Sequence, residues 1–439
     1  MKLIKFLCAG CAAMLLISVV LLLSQRNSYE TEISVLKVSK QTNALREEIK
    51  DKPKMDFVVE EEIQEPSFSV QLKYNSYPMT FTYLVCEHEG VNIRTLPSID
   101  AKILRKSQKW EKLQYIETIT LFNHKEENNN VTEEKWYHVY WYENDDKKIV
   151  PDGSGTIDQN GDGAMLKRVF GFVSADTVSK RFFDFDQMEE KIKQLEKEES
   201  EGNLTYVRNY KNYHGKPPLC EGKEIDEGGT PRSQSAPGYL SASKDSKFIY
   251  IPDGTLIKSL ERSNGFWHIA LVQNGKEYYI PEKYIAKQEA LKVLSKIIII
   301  DRKNQNIACF EKNQGIWQMV SYSLVTTGTT NRYAQPTPLG FYFIIEKRPQ
   351  FYYIKDGTNE IQGYAPYTLR FCGGAYLHGV SATYRWENGN RIDPGLREFS
   401  SSIGTVPLSH KCVRNYTSHA KFLYDWYTKD ETVVAVIEP

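Results

Sequence analysis

The hydrophobic positions change character along the chain. From Phe6 to Leu23 they run without a charge, preceded by Lys2 and Lys5 and followed by Arg26. That is close to the ~20 residues a membrane-spanning helix needs, with the basic residues on its cytoplasmic side. Val19 to Leu23 offers no small-x-small cleavage site, so residues 1–26 read as an uncleaved anchor rather than a signal peptide. Lipidation at Cys11 is the weaker alternative, because most of the apolar run follows that residue. Residues 27–79 are charged and lack a long apolar face, as a juxtamembrane stalk would. Two later stretches, 80–181 and 239–289, alternate apolar with polar positions in the manner of half-buried strands. Between them, Phe182 to Gly202 is rich in helix formers with opposite charges at helical offsets and predicts a solvated helix. Gly215 to Gly238 carries Pro217, Pro218, Pro231 and Pro237 and predicts a linker, so 182–238 reads as helix plus linker. From residue 290 to 439 the pattern sharpens. Lys296 to Asp301 is a β-branched buried strand, Cys309 to Glu311 a second and Met319 to Val325 a third. Thr417 to Tyr427 predicts a helix with Thr417 or Ser418 as its N-cap.

Composition narrows the function. A chain of 439 residues exceeds one compact core and implies roughly two to four domains. Lys+Arg and Asp+Glu both total 56, so no net charge draws the chain to nucleic acid. Aromatics at 12%, with 28 Tyr, favour a mostly β fold. Seven cysteines are present. With Cys8 and Cys11 in the apolar run, Cys86, Cys220, Cys309, Cys372 and Cys412 would be exported to where disulfides form. Their odd number leaves at least one thiol without an intramolecular partner.

The order Asn92-Ile93-Arg94, Trp136-Tyr137-His138-Val139, Gly171-Phe172-Val173 resembles the bacterial Src homology 3 domain, a small five-stranded barrel of exported wall-associated proteins. A second copy at 239–289 has Asp253-Gly254, Trp267-His268-Ile269 and Tyr279-Ile280-Pro281 in the same order, with Asn274-Gly275 as a hairpin signal. An insertion at 152–163 begins like a calcium loop with Asp158, Asn160 and Asp162. It has Val169 where a bidentate carboxylate is needed, and reads as a polar Gly-rich loop.

Cys412 is the residue with chemical promise. A thiol becomes a good nucleophile when a histidine and a helix N-terminus favour its thiolate. His410 is two residues away, and the helix predicted from Thr417 would bring its positive end near the sulfur. His378, beside Gly379 at the end of an apparent strand, is a second candidate base.

Thr337-Pro338-Leu339-Gly340, then His378-Gly379, then Ser409-His410-Lys411-Cys412-Val413-Arg414-Asn415 resemble the catalytic domain of L,D-transpeptidases, the cysteine enzymes that cross-link peptidoglycan. The resemblance implies a β-rich catalytic domain with a short helix after the cysteine. It also implies Cys412 as nucleophile, His378 as base and the Gly379 carbonyl on the second imidazole nitrogen. Ser409 and His410 would support the cysteine loop, and backbone N–H groups from Lys411 to Cys412 would form the oxyanion hole. Arg414 and Asn415 would steady the loop or substrate. Lys411 departs from the family's glycine, and the stretch between His378 and Ser409 is longer than usual, so that residues 384–397 read as a lid or substrate loop. The implied partners are peptidoglycan stem peptides and, through the N-terminal helix, the inner membrane, with the catalytic part in the periplasm or cell envelope. No metal or organic cofactor is implied. The alternatives are transfer to water, which makes a carboxypeptidase or hydrolase, and a non-catalytic wall-binding scaffold.

Overall fold

The computed structural model describes residues 55–60, 65–124, 131–143, 167–286 and 291–439. The expected anchor 1–26, the first part of the expected stalk, Cys8, Cys11 and the insertion 152–163 lie outside the described residues. Among the described residues no helix is long and apolar enough to cross a membrane. Among the described residues the fold is mostly β, with two α-helices, α1 (Phe185–Glu201) and α2 (Thr417–Trp426).

The first sheet is dominated by two long antiparallel strands, Glu111–His124 and Val131–Glu143. Leu84, Ile93, Leu113, Trp141 and Val173 form one core on it, and Ile119, Trp136 and Phe172 a second. The second sheet contains Leu204–Tyr206, Ser235–Tyr239, Phe248–Pro252, Leu256–Ser263, Phe266–Leu271 and Glu277–Pro281 around Ile251, Ile257, Ile269 and Ile280. Strand pairing among the described residues leaves both sheets open. In the first, the long strands overrun a small barrel and recruit Met55–Glu60 along their far halves. In the second, Ser235–Tyr239 meets Glu277–Pro281 through the single pair Tyr239 and Tyr279.

Three expectations need correcting. Part of the stretch read as a stalk is built into the fold. Met55–Glu60 pairs with the first sheet, and Ser69–Val70 lies parallel to Gln318 and Met319. Tyr74 packs on His419, and Tyr77 stacks on Tyr416 at 4.0 Å. Its aromatics are spaced singly, which makes no amphipathic face yet suffices for an extended strap. Helix α1 is not solvated all round, because Phe185, Met188, Ile192 and Leu195 recur at helical spacing and are buried. They share one continuous core with Ile297, Ile299 and Phe310. The Pro-rich linker ends in the strand Ser235–Tyr239, where Pro237 faces Tyr250 on one side and has no paired residue on the other. Among the turns, Asn264-Gly265 has both φ angles positive (49° and 80°), as a type I′ hairpin requires. At Asn274-Gly275 only Gly275 does, and the hairpin closes there with a different turn.

Residues 296–437 form two further sheets packed face to face. One has the order Gly340–Phe343, Thr432–Ile437, Lys296–Asp301, Asn306–Asn313, Ile316–Leu324, Ser69–Val70. Ile297 to Ile300 are all apolar because both faces of the strand Lys296–Asp301 are covered. Ile297 and Ile299 join the core with α1, while Ile298 and Ile300 join Leu369, Phe371, Leu377 and Val413 between the sheets. The other sheet runs Glu346–Ile354, Ile361–Cys372, Ala375–His378, Val413–Arg414. Cys86, Cys220, Cys309, Cys372 and Cys412 are all unpaired thiols. Burial is the main cause that pushes Cys86 and Cys309 up to about 12 and Cys372 up to about 11, with Glu111 adding at Cys86 and Asp253 at Cys372, so these three behave as small apolar side chains.

Candidate active site

Ala375–His378 runs parallel to Val413–Arg414, with Leu377 opposite Val413 and His378 opposite Arg414. Leu377 and Val413 are buried between the sheets. Side chains alternate along a strand, so Tyr376, His378, Cys412 and Arg414 are directed to the other face. Two motifs more than thirty residues apart thereby meet across one strand pair.

His378 is 2% exposed. Its Nδ1 lies 2.6 Å from the Gly379 carbonyl oxygen. A carbonyl can only accept, so Nδ1 carries the proton and Nε2 is left as the basic nitrogen. Burial lowers the imidazole pKa to about 3, and nearby Arg414 adds to the fall against the opposing pull of the Gly379 carbonyl. The ring of Phe351 meets His378 edge-on at 5.4 Å. Behind it, the Asn415 N–H donates to the His378 carbonyl at 2.8 Å. The Asn415 side chain links Val413 to His419, which in turn contacts Ser321.

The Cys412 thiol is 3.6 Å from the Gly374 carbonyl. Burial raises its pKa, while the Tyr376 N–H, Arg414 and Lys411 pull it the other way. These directions keep both the Cys412 thiol and the His378 imidazole neutral at rest. Ser409 is buried and donates its hydroxyl to the Cys412 carbonyl. Thr337 explains its own motif, since its Oγ1 accepts the Gly328 N–H and donates to the Lys411 carbonyl, both at 2.9 Å. Gly328 has no room for a side chain there, because a Cβ would sit 2.8 Å from the Lys411 Cα. The Lys411 side chain runs aside, its Nζ 3.8 Å from where a Cβ on Gly373 would be.

Two groups expected beside the sulfur are turned elsewhere. The His410 side chain is 55% exposed and its Nε2 lies 3.0 Å from both oxygens of Asp356. Helix α2 begins at Thr417 with no side-chain cap from Tyr416. Its first turn is met instead by Glu398, which accepts the Ser418 N–H at 3.0 Å. A carboxylate at that end already answers the helix dipole. Thr417 donates to the Arg397 carbonyl. Within 384–397, Arg385–Glu387 and Asn390–Ile392 form an exposed hairpin on which Trp386 is 70% exposed. Sequence reasoning missed Gly374, Tyr376, Asp356 and His419. Only Gly373-Gly374, a turn signal just before the His378 strand, could have been found by pattern.

Residues 295–436 match the family described as the L,D-transpeptidase catalytic domain (YkuD). No curated protein matches the chain. Among solved structures, it resembles a fused Zn-dependent amidase/peptidase/peptidoglycan-binding domain-containing protein from Clostridium acetobutylicum ATCC 824. That match has 20% identity and a TM-score of 0.23, covering 33% of this chain and 52% of that one. This chain thus spans about half the length of that relative. It also resembles an L,D-transpeptidase from Mycobacterium smegmatis (14% identity, 46% and 77% covered, TM-score 0.24). A third is an L,D-transpeptidase from Mycobacterium tuberculosis H37Rv (14% identity, 47% and 76% covered, TM-score 0.24).

Proposed function

We propose that the protein is a cell-envelope L,D-transpeptidase that acts on peptidoglycan stem peptides through Cys412. The observation that carries this reading is the His378 imidazole, held by the Gly379 carbonyl in the tautomer that leaves Nε2 free, on the strand face shared with Cys412. The family of residues 295–436 supports the substrate class and an envelope location. In the proposed cycle Nε2 takes the thiol proton, and the sulfur attacks the carbonyl at the L-centre of the diamino acid in a tetrapeptide stem. The C–N bond to D-Ala breaks, and the imidazolium returns its proton to the departing amine. A low imidazole pKa favours that return. An amine from a second stem then attacks the thioester and restores the thiol. The N–H groups of Lys411 and Cys412 donate to no acceptor among the described residues. They are available to the oxyanion, with Lys411 at the family's glycine position and its Nζ near Gly373. The sheets at 82–182 and 204–281, which resemble Src homology 3 domains in sequence, would hold this unit on the wall, with residues 1–26 as the anchor.

The test is intact mass of residues 27–439, wild type and Cys412→Ala, mixed with a tetrapeptide stem fragment while released D-Ala is assayed. An acyl adduct and D-Ala release in the wild type, with release falling on the order of 10³-fold or more in the variant, are expected. Equal D-Ala release by both proteins, or none by the wild type, would overturn the proposal.

A further inference from the structure

The second sheet reaches the nucleophile through a buried carboxylate. Asp253, on the loop after Phe248–Pro252, is fully buried, and Arg370 on the strand Ile361–Cys372 is 5% exposed. The Asp253 carboxylate meets the Arg370 guanidinium at 2.7 Å and accepts the Asn209 N–H at 2.7 Å. It also lies within hydrogen-bonding reach of the Gly373 N–H. Arg370 continues the network, with its Nε 3.2 Å from Glu346 and a second donor 3.4 Å from the Gly373 carbonyl. Its guanidinium lies 3.8 Å over the ring of Tyr210, whose hydroxyl is 3.0 Å from that of Tyr376. The approach is close enough that a Cβ on Gly254 would come within 1.9 Å of the Phe371 carbonyl oxygen.

Two of these partners, Gly373 and Tyr376, belong to the stretch facing the thiol. Gly373 meets Arg370 through its carbonyl, with its N–H toward Asp253. The next residue, Gly374, presents its carbonyl to the Cys412 sulfur, and Tyr376 supplies the N–H that favours the thiolate. A Gly-Gly turn has little conformational preference of its own. We propose that Asp253 is a positioning residue for the nucleophile: paired with Arg370, it fixes the Gly373-Gly374 turn and so sets the direction of the Cys412 thiol. The inference rests on the reading of Cys412 as the reacting group, and it makes the second sheet part of the catalytic machinery as well as an accessory to wall binding.

Two variants test it. Asp253→Asn keeps the shape but removes the charge, leaving the buried Arg370 with only its longer contact to Glu346. The double variant Asp253→Asn with Arg370→Met removes both charges together, an exchange that buried pairs often tolerate, and it serves if the single variant loses its fold. Thermal unfolding is measured first. Then two readouts follow: kcat and KM for D-Ala release, and the rate of Cys412 alkylation by iodoacetamide against pH. The expected result is a folded protein with kcat down about ten- to a hundredfold, in line with a misplaced reacting group. KM should stay within about threefold, and the alkylation profile should move to higher pH. A folded variant with the wild-type alkylation profile and kcat, or with KM alone raised, overturns the proposal. Alkylation does not depend on the substrate. If the wild type releases no D-Ala, the transpeptidase reading fails while the alkylation profile still decides the role of Asp253.

Discussion

His378 and His410 both come from motifs of the candidate site, and the fold places them in regions of opposite construction. His378 is embedded in a paired strand with one ring nitrogen committed to a backbone carbonyl, and its properties follow from exclusion of water. His410 stands on the rim, half in solvent, with its imidazole directed to Asp356 on a neighbouring loop. Proximity in sequence to Cys412 favours His410, yet proximity across the sheet favours His378. In a β-rich site the residue across the ladder is the better candidate, because i and i+2 share a face but diverge where the chain leaves the strand.

Predictions can break or sharpen this contrast. The largest effect belongs to the buried member. His378→Gln should lower D-Ala release about 10²- to 10⁴-fold with the fold intact by circular dichroism, and a loss below tenfold would erase the distinction. Next is acid sensitivity. Burial lowers the pKa of both His378 and His419 to about 3, against about 6.5 in the unfolded chain. The folded state therefore binds fewer protons between these values, and stability present above pH 6.5 is lost as the pH falls toward 3. The unfolding temperature should drop across that window, and a flat profile would contradict the buried neutral imidazoles. The smallest effect is on the rim, where an exposed ion pair is worth about 0–1 kcal/mol. His410→Asn should change kcat/KM less than about threefold, and a larger loss would return His410 to the centre of the site.

Much of the site was legible because Cys and His are scarce and their neighbours specific. The strand Lys296–Asp301 was legible because its isoleucines are covered on both sides. What escaped depends on partners far along the chain. The buried face of α1 is four apolar residues among dense charges, and periodicity there was outweighed by composition. The strap at 69–77 contributes single aromatics whose only meaning is the surface they land on. The start of α2 is capped by Glu398 rather than by an adjacent hydroxyl. Asp253 and Arg370 are 117 residues apart, and the motif order that includes Asp253-Gly254 gives no sign of Arg370.

Strand Thr432–Ile437 lies between Gly340–Phe343 and Lys296–Asp301, although it follows every other strand of that sheet in the chain. During synthesis, at ~5–20 residues per second, Gly340–Phe343 stays unjoined to Lys296–Asp301 until residues 432–437 have been made. A translation product truncated before residue 432 would leave the edges of Lys296–Asp301 and Gly340–Phe343 unpaired and their isoleucine and phenylalanine side chains uncovered. Such a product would present two unpaired strand edges beside exposed apolar side chains, the features that make partly folded chains prone to edge-to-edge aggregation.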